Sequence, residues 1–326
     1  MIGVGAFGRN HARVYHQLAN EGAPVRLVGV VDPDTLRADA VAREFGCRSF
    51  GSIQQLTTTH SEVQAASVAV PTIHHLTAAQ QLMEAGIDVL IEKPVATSLS
   101  EADELIRLAT KHGRIAQVGH LERFNPAVRA AVPVITRPMF FEVHRLSVFT
   151  PRSLDVDVLL DLMIHDLDIV LSFVKSAVKE VRAVGLPILS GKVDIANVRL
   201  EFDSGCIANF TASRVSTERV RKLRFFQPRQ YVSLDYGRQD VLVFTVGGDS
   251  TGATPSVNPQ IQMAKLPTTN EEPLHAELKS FLNSVKHRSQ PEVTLEDGRR
   301  ALAVALDIVS AIRAHGVKID LDRLHA

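Results

Sequence analysis

Residues 87–95 read IDVLIEKPV: after Gly86 an apolar, β-branched run begins, and it ends on a charged pair followed by proline. A short run of that composition reads as a strand buried on both faces of a parallel sheet. Glu92 and Lys93 then fall where the strand leaves the sheet, the end at which ligands of open α/β sheets bind. Pro94 has no N–H and disfavours the helical region for Lys93, so the backbone at the lysine is held extended and its side chain can be aimed. The same Glu-Lys pair is also the ordinary form of a solvated strand end, and the flanking sequence has to decide between the two.

Upstream, the chain opens MIGVGAFG, so Gly3, Gly5 and Gly8 form G-x-G-x-x-G ahead of a helical pattern with Tyr15, Leu18 and Ala19 on one face. In such a loop, here including Ala6 and Phe7, the glycines permit a tight turn, close approach of a pyrophosphate and packing of helix on strand. The helix N-terminus faces the anion. Residues 25–31, VRLVGVV, read as the next strand and end at Asp32. A carboxylate at that place accepts from the 2′-OH of NAD and repels the extra phosphate of NADP, which makes NAD the expected cofactor and NADP the less expected one. The glycines alone are a weak signal, and the competing reading is an accidental match with a turn aspartate before Pro33. The motif begins at the third residue, whereas a central strand runs about five or six. The expectation is a start lying a few residues inside the gene product; a sheet that tolerates a stub is the other possibility.

The alternation continues with a helix at 35–45, short strand 47–50, strand 65–70, helix 74–85, the strand of 87–95, helix 101–112 and strand 114–118. Ser98 and Glu101 form a capping box at the start of the last helix, and Gly113 stops it. This βα repetition predicts a doubly wound parallel sheet in a dinucleotide-binding domain over residues 1–119. Pro71 and Thr72 end a strand at the cofactor edge. His74 and His75 open the following helix as structural or ribose-adjacent residues rather than catalytic ones. With Glu92 and Lys93, the glycine loop, Asp32, Pro71, Thr72 and His75 make up the candidate cofactor site.

Composition excludes whole classes of partner. With 326 residues the chain is long enough for two domains, because single cores rarely exceed roughly 250 to 300 residues. Its 36 basic and 36 acidic residues leave no global field for nucleic acid or an anionic membrane, so a small, locally recognised ligand is expected. Cys47 and Cys206 lie far apart without a C-x-x-C partner, which supports neither a disulfide framework nor a zinc site. The expected compartment is the reducing cytoplasm. No apolar stretch reaches the ~18 residues of a membrane span, and the N-terminus lacks the apolar region of a signal peptide.

From Gly119 the pattern changes to β-like runs at 139–149, 178–185, 197–202, 206–214, 220–226 and 231–236, predicting a second domain over 120–326 built on a large open, mostly antiparallel sheet. One helix interrupts it, at roughly 155–174. At 100° per residue Asp157, Asp161, His165 and Asp168 share its polar stripe, with Asp161 and His165 one turn apart. Such stripes are often solvent faces. A dinucleotide site, however, needs a base beside the nicotinamide, and histidine, with an unperturbed pKa of roughly 6.5, suits an alcohol proton near neutral pH. A metal site is the rival, but there is no H-E-x-x-H, no thiolate pair and no second histidine on the stripe, so no metal is expected.

Together, G-x-G-x-x-G-x-x-H at Gly3 to His11, Asp32, P-T-x-x-H at Pro71 to His75, E-K-P at Glu92 to Pro94, and D-x-x-x-H at Asp161 to His165 resemble the Gfo/Idh/MocA oxidoreductase family over nearly the whole chain. The resemblance implies an N-terminal Rossmann domain and a C-terminal α/β domain whose open sheet forms homodimers or homotetramers. It also implies catalytic roles for Lys93, Asp161 and His165. In that reading His165 accepts a hydroxyl proton, Asp161 compensates the imidazolium, and Lys93 donates to the substrate oxygen; Lys93 as immediate acceptor and His165 as relay fits equally well. The segments VGHLERFNP and LDLMIHDLDIV look most like nucleotide-sugar members of the family.

A basic run at 213–229, SRVSTERVRKLRFFQPR, bears on the substrate. Along a strand Arg219 and Arg221 face one way, Lys222 and Arg224 the other. The run is either a charged edge that resists aggregation or, with Arg123, Asn125, Arg152 and Arg214 as candidate substrate ligands, part of a clamp on a diphosphate. The expected substrate is accordingly a UDP-linked N-acetylhexosamine oxidised at its 3-hydroxyl. A free-sugar or inositol-like polyol dehydrogenase, an NAD-dependent glycosidase and a non-catalytic dinucleotide sensor are the alternatives.

Overall fold

The structure is a computed structural model describing residues 1–150, 156–247 and 260–318. By contact the chain divides into two compact units: Met1–Phe124 with Glu271–Leu302, and Asn125–Asn270 with Ala303–Ala326. The return of residues 271–302 to the first unit is absent from the reading of 120–326 as one continuous domain.

The first unit follows the alternation: α1 (Ala6–Asn20), β1 (Gly29–Val31), α2 (Thr35–Phe45), β2 (Arg48–Phe50), α3 (Ile53–Thr59), β3 (Ala65–Val68), α4 (His75–Glu84), β4 (Asp88–Glu92), α5 (Leu99–His112) and β5 (Ala116–Gly119). β1 pairs in parallel with β2, and β3, β4 and β5 pair in parallel in that order. The first residues join the two groups. Ile2 N donates to Ser67 O, Ala69 N to Ile2 O, Gly3 N to Val31 O and Val31 N to Met1 O, each at 2.8 Å. This stub occupies the central place from which the chain runs first to β1 and later back past it to β3, and that reversal is the ligand-binding switch point of doubly wound sheets. β4 is buried along all five of its residues, as its unbroken apolar pattern requires.

Two local differences from expectation have simple causes. The strand expected at 25–31 is ordered only as Gly29–Val31, because its partner β2 offers three residues to pair with. Helix α3 carries its own signal in Ser52-x-x-Gln55: the Ser52 hydroxyl accepts from Gln55 N at 3.2 Å and Gln55 Oε1 accepts from Gly51 N at 2.9 Å. The box at α5 forms as read on one side, Glu101 N donating to Ser98 Oγ at 3.3 Å, while the Glu101 carboxylate reaches back to Thr97 N at 2.8 Å.

The second unit contains α6 (Pro126–Ala131), β6 (Phe140–Val148), α7 (Ile164–Val174) and strands β7 (Val178–Leu186), β8 (Ile195–Phe202), β9 (Ile207–Ser216), β10 (Val220–Gln227), β11 (Gln230–Asp235), β12 (Asp240–Gly247) and β13 (Gln260–Lys265). The sheet order is β13-β12-β11-β10-β6-β9-β8-β7. Every neighbouring pair is antiparallel except β6 with β9. Strand alternation puts Phe141 and Phe225 on the face where Phe173 of α7 packs, with ring centroids 5.6 to 6.5 Å apart. β12 and β13 extend the sheet beyond the strands read from sequence.

Two C-terminal helices complete the element list, α8 (Pro273–His287) and α9 (Leu295–Lys318). α8 lays Leu274, Leu278 and Phe281 against Val14, Tyr15 and Leu18 of α1 and Leu90 of β4. Burying each of these side chains contributes about 1.5 to 3 kcal/mol, which accounts for the return of the chain to the first unit. α9 opens on a third capping pair: Asp297 N donates to Thr294 Oγ1, and Thr294 N donates to Asp297 Oδ2, both at 3.2 Å. No described helix is long and apolar enough to cross a membrane.

Candidate active site

The glycine loop leaves space where an anion would sit. Gly3 has φ +77, and a Cβ there would stand 2.8 Å from Ala69 O; one on Gly8 would stand 1.9 Å from Gly3 O. Those two positions are glycine because the turn folds onto itself. Gly5 differs, since a Cβ on it would meet no atom within 4 Å. Gly5 is the N-cap of α1 and makes no side-chain cap bond, and Ala6 and Phe7 beside it are exposed. An uncapped first turn beside open space suits a phosphate. Asp32 follows β1 at the same end of the sheet. Its Oδ2 accepts from Val4 N at 2.9 Å and its Oδ1 from Asp34 N at 3.0 Å, which fixes the carboxylate, and Arg37 Nη1 lies 3.6 Å from Oδ2. These residues fit a dinucleotide. A cavity of about 1520 Å³ lined by Met1, Tyr15, Val25, Asp88, Arg114 and Arg288 contains no residue of the glycine loop, Asp32 or Lys93 and is not the site.

Lys93 is half-buried immediately after β4, and its peptide bond to Pro94 is cis. Pro71 is exposed and Thr72 half-buried at the turn after β3. His75 is buried and ties this turn to the lysine's: Nδ1 lies 3.0 Å from Pro94 O and Nε2 3.0 Å from Val70 O. Burial pushes the His75 pKa down and outweighs the backbone carbonyls, which favour the charged ring. Its ring thus spans the two turns that end β3 and β4.

Behind Lys93 lies a group that the sequence reading did not assemble. His11 of α1, Glu92 of β4 and Glu277 of α8 are all buried. His11 Nε2 is 2.9 Å from Glu92 Oε1, and one ligand-type atom from each of the three residues lies within 4.8 Å of the others. Burial, and then the Glu92 charge, push the Glu277 carboxyl well above the ordinary carboxylate range. The histidine of G-x-G-x-x-G-x-x-H and the glutamate of E-K-P were visible in sequence; Glu277 carried no signal there.

In the second unit, residues 159–163 are wound as a π-helix that runs into α7. Such bulges are frequent at functional sites, and this one carries Asp161 one turn before His165. Both are half-buried. Of the other residues on the expected polar stripe, Asp168 is buried, and Asp157 accepts from Val193 N at 3.0 Å. Asp166, unassigned from sequence, is buried and pairs with Arg145 of β6 at 2.6 and 3.0 Å.

The candidate substrate ligands are placed separately. Arg123 lies 3.9 Å from Asp297. Asn125 is buried with both ends of its amide engaged, Nδ2 donating to Tyr236 O at 3.1 Å and Oδ1 accepting from Ala127 N at 3.0 Å. Arg214 donates to Val156 O and lies 3.7 Å from Asp194. Burial pushes the Asp194 carboxyl up, but the Ser190 hydroxyl and the N–H groups of Leu189, Ser190 and Ile188 prevail and hold it at about 2. Arg152 falls outside the described residues. In the basic run, Lys222 lies 4.0 Å from Asp235 and Arg224 3.8 Å from Glu142, cross-strand pairs that match the charged-surface reading on that face.

Residues 1–120 match the Gfo/Idh/MocA family described as oxidoreductases with an NAD-binding Rossmann fold, and residues 135–230 match that family's C-terminal domain. The chain is 36% identical over 316 residues to the UDP-N-acetylglucosamine 3-dehydrogenase of Acidithiobacillus ferrooxidans, covering 96% of both proteins. The solved structure of that enzyme superposes with a TM-score of 0.87, again covering 96% of each chain. The scyllo-inositol 2-dehydrogenase (NAD(+)) of Bacillus subtilis is 26% identical over 339 residues, covering 99% of this chain and 95% of that one. Family domains in sequence order, the loop and acid of a dinucleotide site, and a full-length relative at this identity agree: the chain belongs to the Gfo/Idh/MocA family of NAD-binding oxidoreductases.

Proposed function

We propose that this protein oxidises the 3-hydroxyl of a UDP-linked N-acetylhexosamine, using NAD. The observation that carries this reading is the likeness to UDP-N-acetylglucosamine 3-dehydrogenase over 96% of both chains; the presence of Lys93, Asp161 and His165 supports it. Bound NAD supplies hydride-accepting chemistry. His165 takes the hydroxyl proton, and Asp161 compensates the imidazolium that forms. Lys93 donates to the substrate oxygen and steadies the negative charge that develops on it. The fixed carboxylate of Asp32 favours the ribose 2′-OH of NAD and opposes a 2′-phosphate.

Initial rates of nicotinamide reduction with UDP-N-acetylglucosamine, free N-acetylglucosamine, glucose and inositol, each with NAD and with NADP, test substrate and cofactor together. The nucleotide sugar with NAD is expected to give the highest kcat/KM. A free sugar or polyol turned over more efficiently refutes the nucleotide-sugar reading, and NADP used as well as NAD refutes the role of Asp32.

The homo-oligomer is proposed to form through the outer face of the eight-stranded sheet. That face carries a cross-strand ring series, Phe140–Phe226 at 5.6 Å, Phe226–Tyr231 at 4.8 Å and Tyr231–Phe244 at 5.3 Å. Phe244 pairs in register with Met263, which with Ile261 is about two-thirds exposed. Apolar area of this kind favours association. Light scattering is expected to give a dimer or tetramer, with Tyr231→Lys shifting the mass toward the monomer; a monomeric parent protein excludes the proposal.

A further inference from the structure

The end of β4 is held from inside the first unit by more than its strand pairing. Glu92, the last residue of β4, points its carboxylate at His11 Nε2, 2.9 Å away on α1. On another side it lies over the backbone of β5: a Cβ on Gly119 would stand 2.7 Å from Glu92 Oε1 and 3.0 Å from Oε2. Glu277 of α8 is fully buried, and neither of its oxygens has a hydrogen-bond partner among the described residues. Lys93 N is 3.3 Å from Glu92 Oε2, so the position of this carboxylate is coupled to the turn that carries the lysine.

We propose that His11 and Glu277 are positioning residues for Lys93, gripping the Glu92 carboxylate so that the strand end bearing the lysine holds one direction. The inference rests on the role given above to Lys93. An imidazole can present an N–H from Nε2 in either its neutral or its charged form, and His11 Nε2 stands 2.9 Å from Glu92 Oε1, close enough for a small rotation of the ring to aim it at the carboxylate. A buried carboxyl beside a buried carboxylate is costly as a second anion. Protonated, it gains an O–H that the neighbouring carboxylate can accept. Other groups near the pair come from the neighbouring elements. α1 adds Tyr15, whose hydroxyl is 2.6 Å from Ser67 Oγ and whose pKa burial pushes up. α4 adds His75, which burial keeps toward its neutral form. β5 contributes Gln117 and no titratable group. Two carboxyls and one imidazole thus form a buried set beside the turn that carries the lysine.

The sign of the pH effect follows from the direction of the Glu277 shift. Its pKa in the folded protein is raised well above the ordinary value of 4.5, so the folded state binds the proton more tightly than the unfolded chain. Stability from this group is full below the unfolded value and is lost as pH rises through the folded one. Glu277→Gln imitates the protonated acid and removes that loss. It is expected to melt above the parent protein at alkaline pH, with the gap closing toward pH 4.5, and to keep most of the turnover while shifting the alkaline limb of kcat/KM upward. Glu277→Met, similar in size but without donor or acceptor, is expected to lower kcat by roughly 10- to 100-fold through misplacement of Lys93. His11→Ala should behave likewise and His11→Gln should recover much of the loss.

Melting temperature and kcat/KM across pH, measured on these full-length variants beside Lys93→Ala, decide the matter. Variants that melt lower but keep the parent kcat and pH profile reduce the group to packing and overturn the proposal, as does an unchanged pH dependence of melting in Glu277→Gln. Zn²⁺ that raises the melting temperature of the parent protein and not of Glu277→Gln overturns it in favour of a metal site. Normal turnover in Lys93→Ala defeats the catalytic reading instead, and the pH dependence of melting distinguishes that failure from failure of the grip.

Discussion

Lys93→Ala and His165→Ala are each expected to lower turnover by roughly 10²- to 10⁴-fold while leaving NAD binding largely intact, the range for removing a positioned proton carrier or a donor to a developing oxyanion. Binding is expected to survive because the proposed phosphate and ribose contacts, Gly5, the first turn of α1 and Asp32, are elsewhere in the sequence and are built by the glycine turn and the end of β1. The two substitutions separate by their by-products. Lysine loss removes a donor that already holds the substrate oxygen and strengthens as charge develops on it, so it is expected to raise KM as well as lower kcat. Histidine loss removes a base that matters only when the proton moves, so its effect belongs in kcat more than in KM. Asp161→Asn is expected to be milder than His165→Ala, since it leaves the base and removes only the compensating charge. Stopped-flow turnover with fluorescence titration of NAD measures both quantities, and near-normal turnover in either alanine variant removes that residue from the mechanism.

Breaking the ion pair between Arg145 and Asp166 is expected to cost about 3 to 5 kcal/mol of stability, because the survivor keeps its desolvation cost while losing the bidentate pairing that offset it. The pair is bidentate at 2.6 and 3.0 Å, with side-chain exposures of 4% and 2%. The arginine also lies over the Tyr236 ring, 5.2 Å from its centroid. Asp166→Asn and Arg145→Met should each lower the unfolding free energy from denaturant melts by that amount, the midpoint falling by the loss divided by the m-value. The double variant Arg145→Met/Asp166→Leu should recover much of the loss, since replacing both partners of a buried pair by apolar groups is often neutral. Additive losses in the double variant would falsify the coupling. Asp166 stands next to His165 in the first turn of α7, so the single variants are expected to lose turnover as well, by letting that turn move.

Where the sequence was legible, a short-range rule was at work. The apolar run 88–91 became a buried strand, Asp88–Glu92, Ser98 caps α5 through the N–H group three residues on, and Gly113 closes that helix in the left-handed region. Helix α3 was missed although Ser52-x-x-Gln55 states it in the same code. The strands at residues 240–247 and 260–265 were missed because an open sheet continues wherever a partner edge is available, and a strand with all six residues exposed, as in β13, has no apolar alternation to betray it.

Chain order, βα alternation, the glycine turn and the placing of Asp32 and Lys93 at strand ends follow from periodicity and from backbone conformations that neighbouring residues impose, so the sequence alone determined them. The tertiary structure decided which distant polar groups meet. Arg145 meets Asp166 across 21 positions, and His11 and Glu92 meet Glu277 only because α8 folds back to bury Leu274, Leu278 and Phe281 against α1. The return is driven by apolar area, which has no direction. The charged pairing it creates depends on which side chains happen to share the buried face, information that no local pattern in this chain contains.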